Sequence, residues 1–169
     1  PERDPLIAQQ ITPSALFADR YRILEKIADG SVASVYRALD ERGGFEVALK
    51  VFDPLKSADP VARIRFEREF EILSELDHPG VARALRFERF GDVDVLVMEY
   101  VEGENLAMRL ARGVLDVPSA LALAASLCRT LAVCHRAGVI HRDLKPANVI
   151  LHPARGPVIV DFGVAWFSS

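Results

Sequence analysis

Asp143, Lys145, Asn148 and Asp161 are the residues of this chain whose types and spacing could do chemistry. They lie in two runs, His141-Arg142-Asp143-Leu144-Lys145-Pro146-Ala147-Asn148 and Asp161-Phe162-Gly163. The set holds a carboxylate that can orient a hydroxyl and a cation beside it. It also holds an amide and a second carboxylate that can offer hard oxygen atoms to magnesium. Those are the parts that phosphoryl transfer requires, because its catalysis is mostly positioning and charge neutralisation. His78, His135 and His152 have no metal-ligand spacing with one another, so no zinc site is expected.

Composition bounds what can carry these residues. The chain has 169 residues, half of them hydrophobic, enough for one domain with a core. A net charge of −3 gives no electrostatic support to a nucleic-acid role. Cys128 and Cys134 sit in a strongly apolar stretch and read as buried thiols in a reducing compartment. Arg129, His135 and Arg136 interrupt the longest apolar run, so no membrane span of ~18 residues is expected. Nothing at the N-terminus marks export. The expectation is a soluble, cytoplasmic chain. Its first residue is not Met and its last lies six residues after Gly163, so it is expected to be a piece of a longer domain.

The elements that must position the reactive residues follow from periodicity and turn chemistry. Residues 1–18 show no sustained pattern and are expected to pack weakly as a leader. Short β runs follow at 21–27, 32–39 and 45–52, with turns at Asp29-Gly30 and Arg42-Gly43-Gly44. Asp59-Pro60 opens a helix expected to reach about Leu76 and to stop before His78-Pro79-Gly80. Strands at 84–90 and 93–98 flank a turn at Gly91-Asp92. Beyond residue 103 the texture turns helical, with a short helix at 106–111 and a long one from Pro118 to about Ala137, stopped by Gly138. Short β runs at 149–151 and 158–160 come last. The long helix is apolar around nearly its whole circumference, through Ala120 to Ala125, Leu127, Cys128, Leu131, Ala132 and Val133. Such a helix is normally buried on all sides; the remaining sequence supplies too little to cover it, and partners C-terminal to Ser169 are expected to do so.

From about Tyr21 to Gly163 the chain resembles the protein kinases, specifically the eukaryotic-like serine/threonine type that bacteria also carry. The resemblance implies an α+β, two-lobed fold. Residues 19–98 would form an N-lobe with a five-stranded antiparallel sheet and one helix. Residues 99–103 would be a hinge and 104–169 a partial, mostly helical C-lobe. The segment Ile27-Ala28-Asp29-Gly30-Ser31-Val32-Ala33, with Val35 beyond it, lies where the family has a glycine-rich loop over the ATP phosphates. Ala28 and Ala33 stand in place of two of its glycines, which implies a stiffer phosphate lid. Val47-Ala48-Leu49-Lys50 matches the family's lysine strand, and Lys50 would contact the α- and β-phosphates. Glu69 is its expected partner, by alignment to His78-Pro79 and by sharing a helical face with Phe66 and Leu73; Glu67 and Glu71 lie close by.

The same resemblance makes Val97-Met98-Glu99-Tyr100-Val101 the hinge, with Met98 guarding the back of the pocket and the Glu99 and Val101 backbones on the adenine edge. Asn105 would meet ribose, and Val35, Ala48 and Ile150 would sandwich the base. Asp143 would orient the substrate hydroxyl, Lys145 would neutralise the transferred phosphoryl, and Asn148 and Asp161 would ligate Mg2+. His141 would be structural, and Arg142 would pair with a phosphorylated activation loop. The implied activity is ATP- and Mg2+-dependent phosphorylation of Ser/Thr hydroxyls on a protein substrate, weak or absent in the isolated chain. A nucleotide-binding pseudokinase or regulatory scaffold without catalysis is the alternative, and a small-molecule kinase of related fold is a third reading, which Lys145-Pro146 disfavours. Substrate identity and oligomeric state are not written in the sequence.

Overall fold

Alternation along β4 (Phe45–Phe52) and β6 (Val93–Glu99) creates both the core and the face that carries the ionic residues. Successive strand residues point to opposite faces. Val47, Leu49, Val51, Val93, Val95 and Val97 therefore join Phe17, Tyr21, Ile23 and Ala38 in one buried cluster. The intervening Ala48, Lys50, Asp94, Leu96 and Met98 point to the other face. In this computed structural model residues 11–30, 33–52, 60–91, 93–162 and 166–167 are described. Contacts divide the chain into two compact units, one of Pro1–Phe70 with Ala84–Tyr100 and one of Glu71–Arg83 with Val101–Ser169.

The first unit is built on an antiparallel sheet of six strands in the order β1-β2-β3-β4-β6-β5. Its other strands are β1 (Leu16–Phe17), β2 (Tyr21–Asp29), β3 (Ala33–Asp40) and β5 (Ala84–Phe90). Helix α1 spans Pro60–Ser74, two residues short of the expected end; its expected cap, Asp59, and the turn residue Asp92 lie outside the described residues.

The strand count corrects the expectation of five. Leu16 and Phe17, assigned to a weakly packed leader, pair with Arg22 and Tyr21 through a turn in which Ala18 and Asp19 take positive φ. Phe17 is buried and meets Phe90 edge-on at 5.2 Å. A two-residue strand is too short to show periodicity, so its cause lies in the packing of Phe17.

In the second unit, β7 (Glu104–Asn105), β9 (Val149–His152) and β10 (Gly156–Ile159) form a small sheet, and β8 (Val139–Ile140) pairs with β11 (Trp166–Phe167). Helix α2 spans Leu106–Ala111 and α3 spans Val117–Arg136. The Asp116 carboxylate caps α3 by accepting the Ser119 N–H at 2.8 Å. Gly138, at φ 77°, takes the left-handed conformation at its other end.

The exposure of α3 agrees with the expectation that the rest of this chain supplies too little to cover it, while two other expectations about the helix change. Of its residues only Thr130 and Cys134 are buried, while Val117 and Leu121 are 71% and 65% exposed. Cys128 is exposed, so only Cys134 is a buried thiol; both are free. By length and composition the helix is also apolar enough to cross a membrane, a test that the core helix of a soluble protein passes too. Arg129 is the only Asp, Glu, Lys or Arg between Val117 and His135, and one such charge does not lower the mean hydropathy enough to fail it.

Candidate active site

The face of the sheet opposite the valine cluster assembles the first group of expected residues. Lys50 sits opposite Val35 on β3 and Leu96 on β6, and Ala48 sits opposite Met98. Cross-strand partners share a face, so Val35, Ala48, Lys50 and Met98 lie together. Met98 and Lys50 are buried, and Val35 and Ala48 half-buried. The Lys50 Nζ donates to both carboxylate oxygens of Glu69, at 2.8 and 2.7 Å. Glu69 is 2% exposed, whereas Glu67 and Glu71 point into solvent, which decides among the three carboxylates. The Phe66 ring lies 6.0 Å from the same ammonium. A buried ion pair of this kind is costly to desolvate and costlier to break.

The phosphate-loop candidates lie where β2 ends and β3 begins. Ile27, Ala28, Asp29 and Gly30 are exposed and Ala33 is buried; Ser31 and Val32 lie outside the described residues. Gly30 N–H donates to the Ala33 carbonyl at 2.9 Å, and a Cβ on Gly30 would stand 2.9 Å from that oxygen. That close approach favours glycine at position 30 independently of any phosphate. The Ser34 hydroxyl donates to Asp29 Oδ1 at 2.8 Å and ties the two strand ends together. At the end of β6, Glu99 is half-buried. Beyond it the Arg37 guanidinium lies 4.6 Å over the Tyr100 ring and pairs with Glu46 and Glu25, a contact that sequence reading did not find. Only the cross-strand register brings Arg37 to that position.

The second unit holds the other group. Val101 is buried, and Asn105 and Ile150 are register partners of β7 and β9. The Asn105 Oδ1 accepts the Met108 N–H at 2.8 Å and so caps α2, a structural use that the ribose expectation did not include. Asp143 and Lys145 are about half exposed, with Lys145 Nζ donating to Asp143 Oδ2 at 2.6 Å. That hydrogen bond to Asp143 raises the Lys145 pKa. The Asn148 Nδ2 donates to the Asp143 carbonyl at 2.9 Å, which leaves the amide oxygen available as a hard ligand. Arg142 and Asp161 adopt positive φ, 64° and 63°. Non-glycine residues hold that conformation only where the surroundings enforce it.

His141 is buried, its Nδ1 accepts the Asp143 N–H at 3.3 Å, and its ring lies 4.5 Å from that of Phe162. Burial pushes its pKa down, against upward pulls from the Val160 backbone and Asp161. A neutral imidazole that supports the Asp143 backbone is the arrangement of a structural histidine. Gly163 lies outside the described residues.

The model of the protein kinase domain matches residues 21–168. The chain belongs to the protein kinase family. Among its relatives, the probable serine/threonine-protein kinase pknA2 of Bifidobacterium longum is 38% identical over 161 residues, 93% of this chain and 21% of that protein. The serine/threonine-protein kinase pkn2 of Myxococcus xanthus is 40% identical over 92% of this chain and 19% of its own length. A crystal structure of the PknI kinase domain of M. tuberculosis superposes with a TM-score of 0.76 at 30% identity, covering 91% of this chain and 62% of that one. This kinase-family chain thus spans about a fifth of the length of those curated relatives.

Proposed function

We propose that this chain carries the nucleotide-binding and catalytic-loop part of a serine/threonine protein kinase. Its full-length protein would transfer the γ-phosphoryl group of ATP to a Ser or Thr hydroxyl of a protein. The observation that carries the reading is the buried Lys50–Glu69 pair, with the ammonium gripped by both carboxylate oxygens. A lysine so held has its flexible stem fixed and presents its charge in one direction, as a phosphate anchor must. Ile27 to Ala33 would cover the phosphates, and Val35, Ala48, Met98, Ile150 and the backbones of Glu99 and Val101 would hold the base, with Asn105 near the ribose.

In the reaction the hydroxyl oxygen forms a bond to Pγ while the bond from Pγ to the β,γ-bridging oxygen breaks, giving a phosphoester and ADP. Asp143 would orient the hydroxyl and accept its proton on the carboxylate. Lys145 would meet charge on the transferred group. Asn148, through its amide oxygen, and Asp161 would hold Mg2+. That ion, when bound, neutralises phosphate charge. The compartment would be the cytoplasm, where ATP is available and thiols such as Cys128 and Cys134 stay reduced.

Incubation of the full-length protein with γ-labelled ATP, Mg2+ and a mixed protein substrate tests the reading. Label on Ser and Thr that disappears in Asp143→Asn is the expected outcome. Tight Mg-ATP binding without any transfer would overturn it.

A further inference from the structure

Asp94 is the charged residue in the otherwise apolar run Val93-Asp94-Val95-Leu96-Val97, and it is completely buried. Its Oδ2 accepts from Arg63 Nε at 2.6 Å and its Oδ1 from Arg63 Nη2 at 3.1 Å, a two-point contact with a residue of α1. Arg89, opposite it in the strand register, donates to Oδ1 at 2.6 Å. Asp94 lies two residues from Leu96, the register partner of Lys50, and so on the same face of the sheet. Arg63 precedes Glu69 by six residues, about 9 Å along the helix. Between them Phe66 packs 5.6 Å from Phe52 and 6.1 Å from Phe87, and just past Glu69 the Phe70 ring lies 6.0 Å from Phe87.

Helix α1 is therefore attached to one face of the sheet at two ionic points with aromatic packing between them. A helix held only through Glu69 can roll or pivot about that point; one held at two separated points cannot.

We propose that Asp94 is a positioning residue, which fixes the rotation of α1 through Arg63 and thereby keeps Glu69 on Lys50. The kinase reading supplies the consequence, because a displaced Glu69 releases the phosphate-anchoring lysine. Asp94 touches neither substrate nor nucleotide in this role.

Competitive acetylation of lysine amines in the folded full-length protein, read residue by residue by mass spectrometry, tests the placement without using activity. Lys50 should label slowly in the parent protein and fastest in Glu69→Gln. Asp94→Asn and Arg63→Gln should each raise the Lys50 rate about threefold or more, with Arg63→Lys nearer the parent. Asp40→Asn removes another buried carboxylate of the same sheet and should leave Lys50 protected. Where Asp94→Asn does not fold, Arg63→Gln decides, since that side chain is 39% exposed. Unchanged Lys50 labelling in folded Asp94→Asn or Arg63→Gln, or equal unmasking in Asp40→Asn, would overturn the proposal. Absence of phosphoryl transfer by the parent protein would count against the kinase reading alone, and the labelling result would still stand.

Discussion

In the sheet unit Lys50, Glu69, Asp40 and Asp94 are buried and held by ion pairs between regular elements. In the second unit Asp143 and Lys145 are about half exposed on an irregular loop and paired with each other. The first arrangement makes Lys50, the phosphate anchor of the proposed reaction, part of the fold, so its loss is expected to cost function and stability together. The second leaves the Asp143 carboxylate, the proton acceptor of the proposed reaction, open to solvent, with its position fixed by His141, Asn148 and the strained backbone at Arg142 and Asp161. Mutations should therefore separate activity from stability in one unit and not in the other.

The largest expected effect is on catalysis alone. Asp143→Asn should lower kcat about a thousandfold, the scale of a lost proton acceptor, with little change in melting temperature. A parallel loss of stability, read by calorimetry, would erase the contrast between the units. Lys50→Met should remove activity and also destabilise the protein by about 3–5 kcal/mol, because Glu69 is left buried without its cation. Denaturant unfolding monitored beside the kinase assay distinguishes the two variants.

A third prediction uses pH. Hydrogen bonds from Arg20, helped by the Gly43 and Arg42 backbone against the opposing effect of burial, lower the Asp40 pKa to about 2. Arg86 Nη2 also reaches Asp40 Oδ2 at 2.8 Å. A depressed folded-state pKa stabilises the fold above the unfolded value of ~3.9, and the stability is lost as pH falls through the folded value. The sheet unit should thus lose about 2 kcal/mol between ~pH 4 and ~pH 2 through this group, a slope that Asp40→Asn abolishes. Acid titration of unfolding free energy reads it directly. The smallest effect is expected at the phosphate loop. Gly30→Ala should cost about 1 kcal/mol, since its Cβ would press on a backbone oxygen. Ala28→Gly, at an exposed position, should change stability by less than ~1 kcal/mol and show itself in the KM for ATP.

Much of the proposed site was legible because chemistry in this family is written at short spacings. Asp143, Lys145 and Asn148 lie within one loop, and a three-residue run contains Asp161. The strands were legible because alternation such as Val47-Ala48-Leu49-Lys50 reflects a one-residue geometric rule. The choice of Glu69 over its neighbours also followed from helical spacing, and the exposure of Glu67 and Glu71 agrees with it. What escaped notice depended on partners distant in sequence. The strand at Leu16–Phe17 exists because Phe17 is buried against residues such as Phe90. Arg37 meets Tyr100, and Asp94 meets Arg63, only through register and helix docking.

The sequence by itself determined the family, the candidate reacting residues and the alternation of the strands, since each depends on residues near one another along the chain. Tertiary structure alone decided which charges are buried and which strand joins the sheet edge. The apolar pattern of α3 states only that the helix favours burial; its 71% exposed Val117 and 65% exposed Leu121 show that burial also requires a neighbour in place. Desolvation and ion pairing depend on what stands within a few ångströms in space, a quantity that no local pattern in the chain encodes.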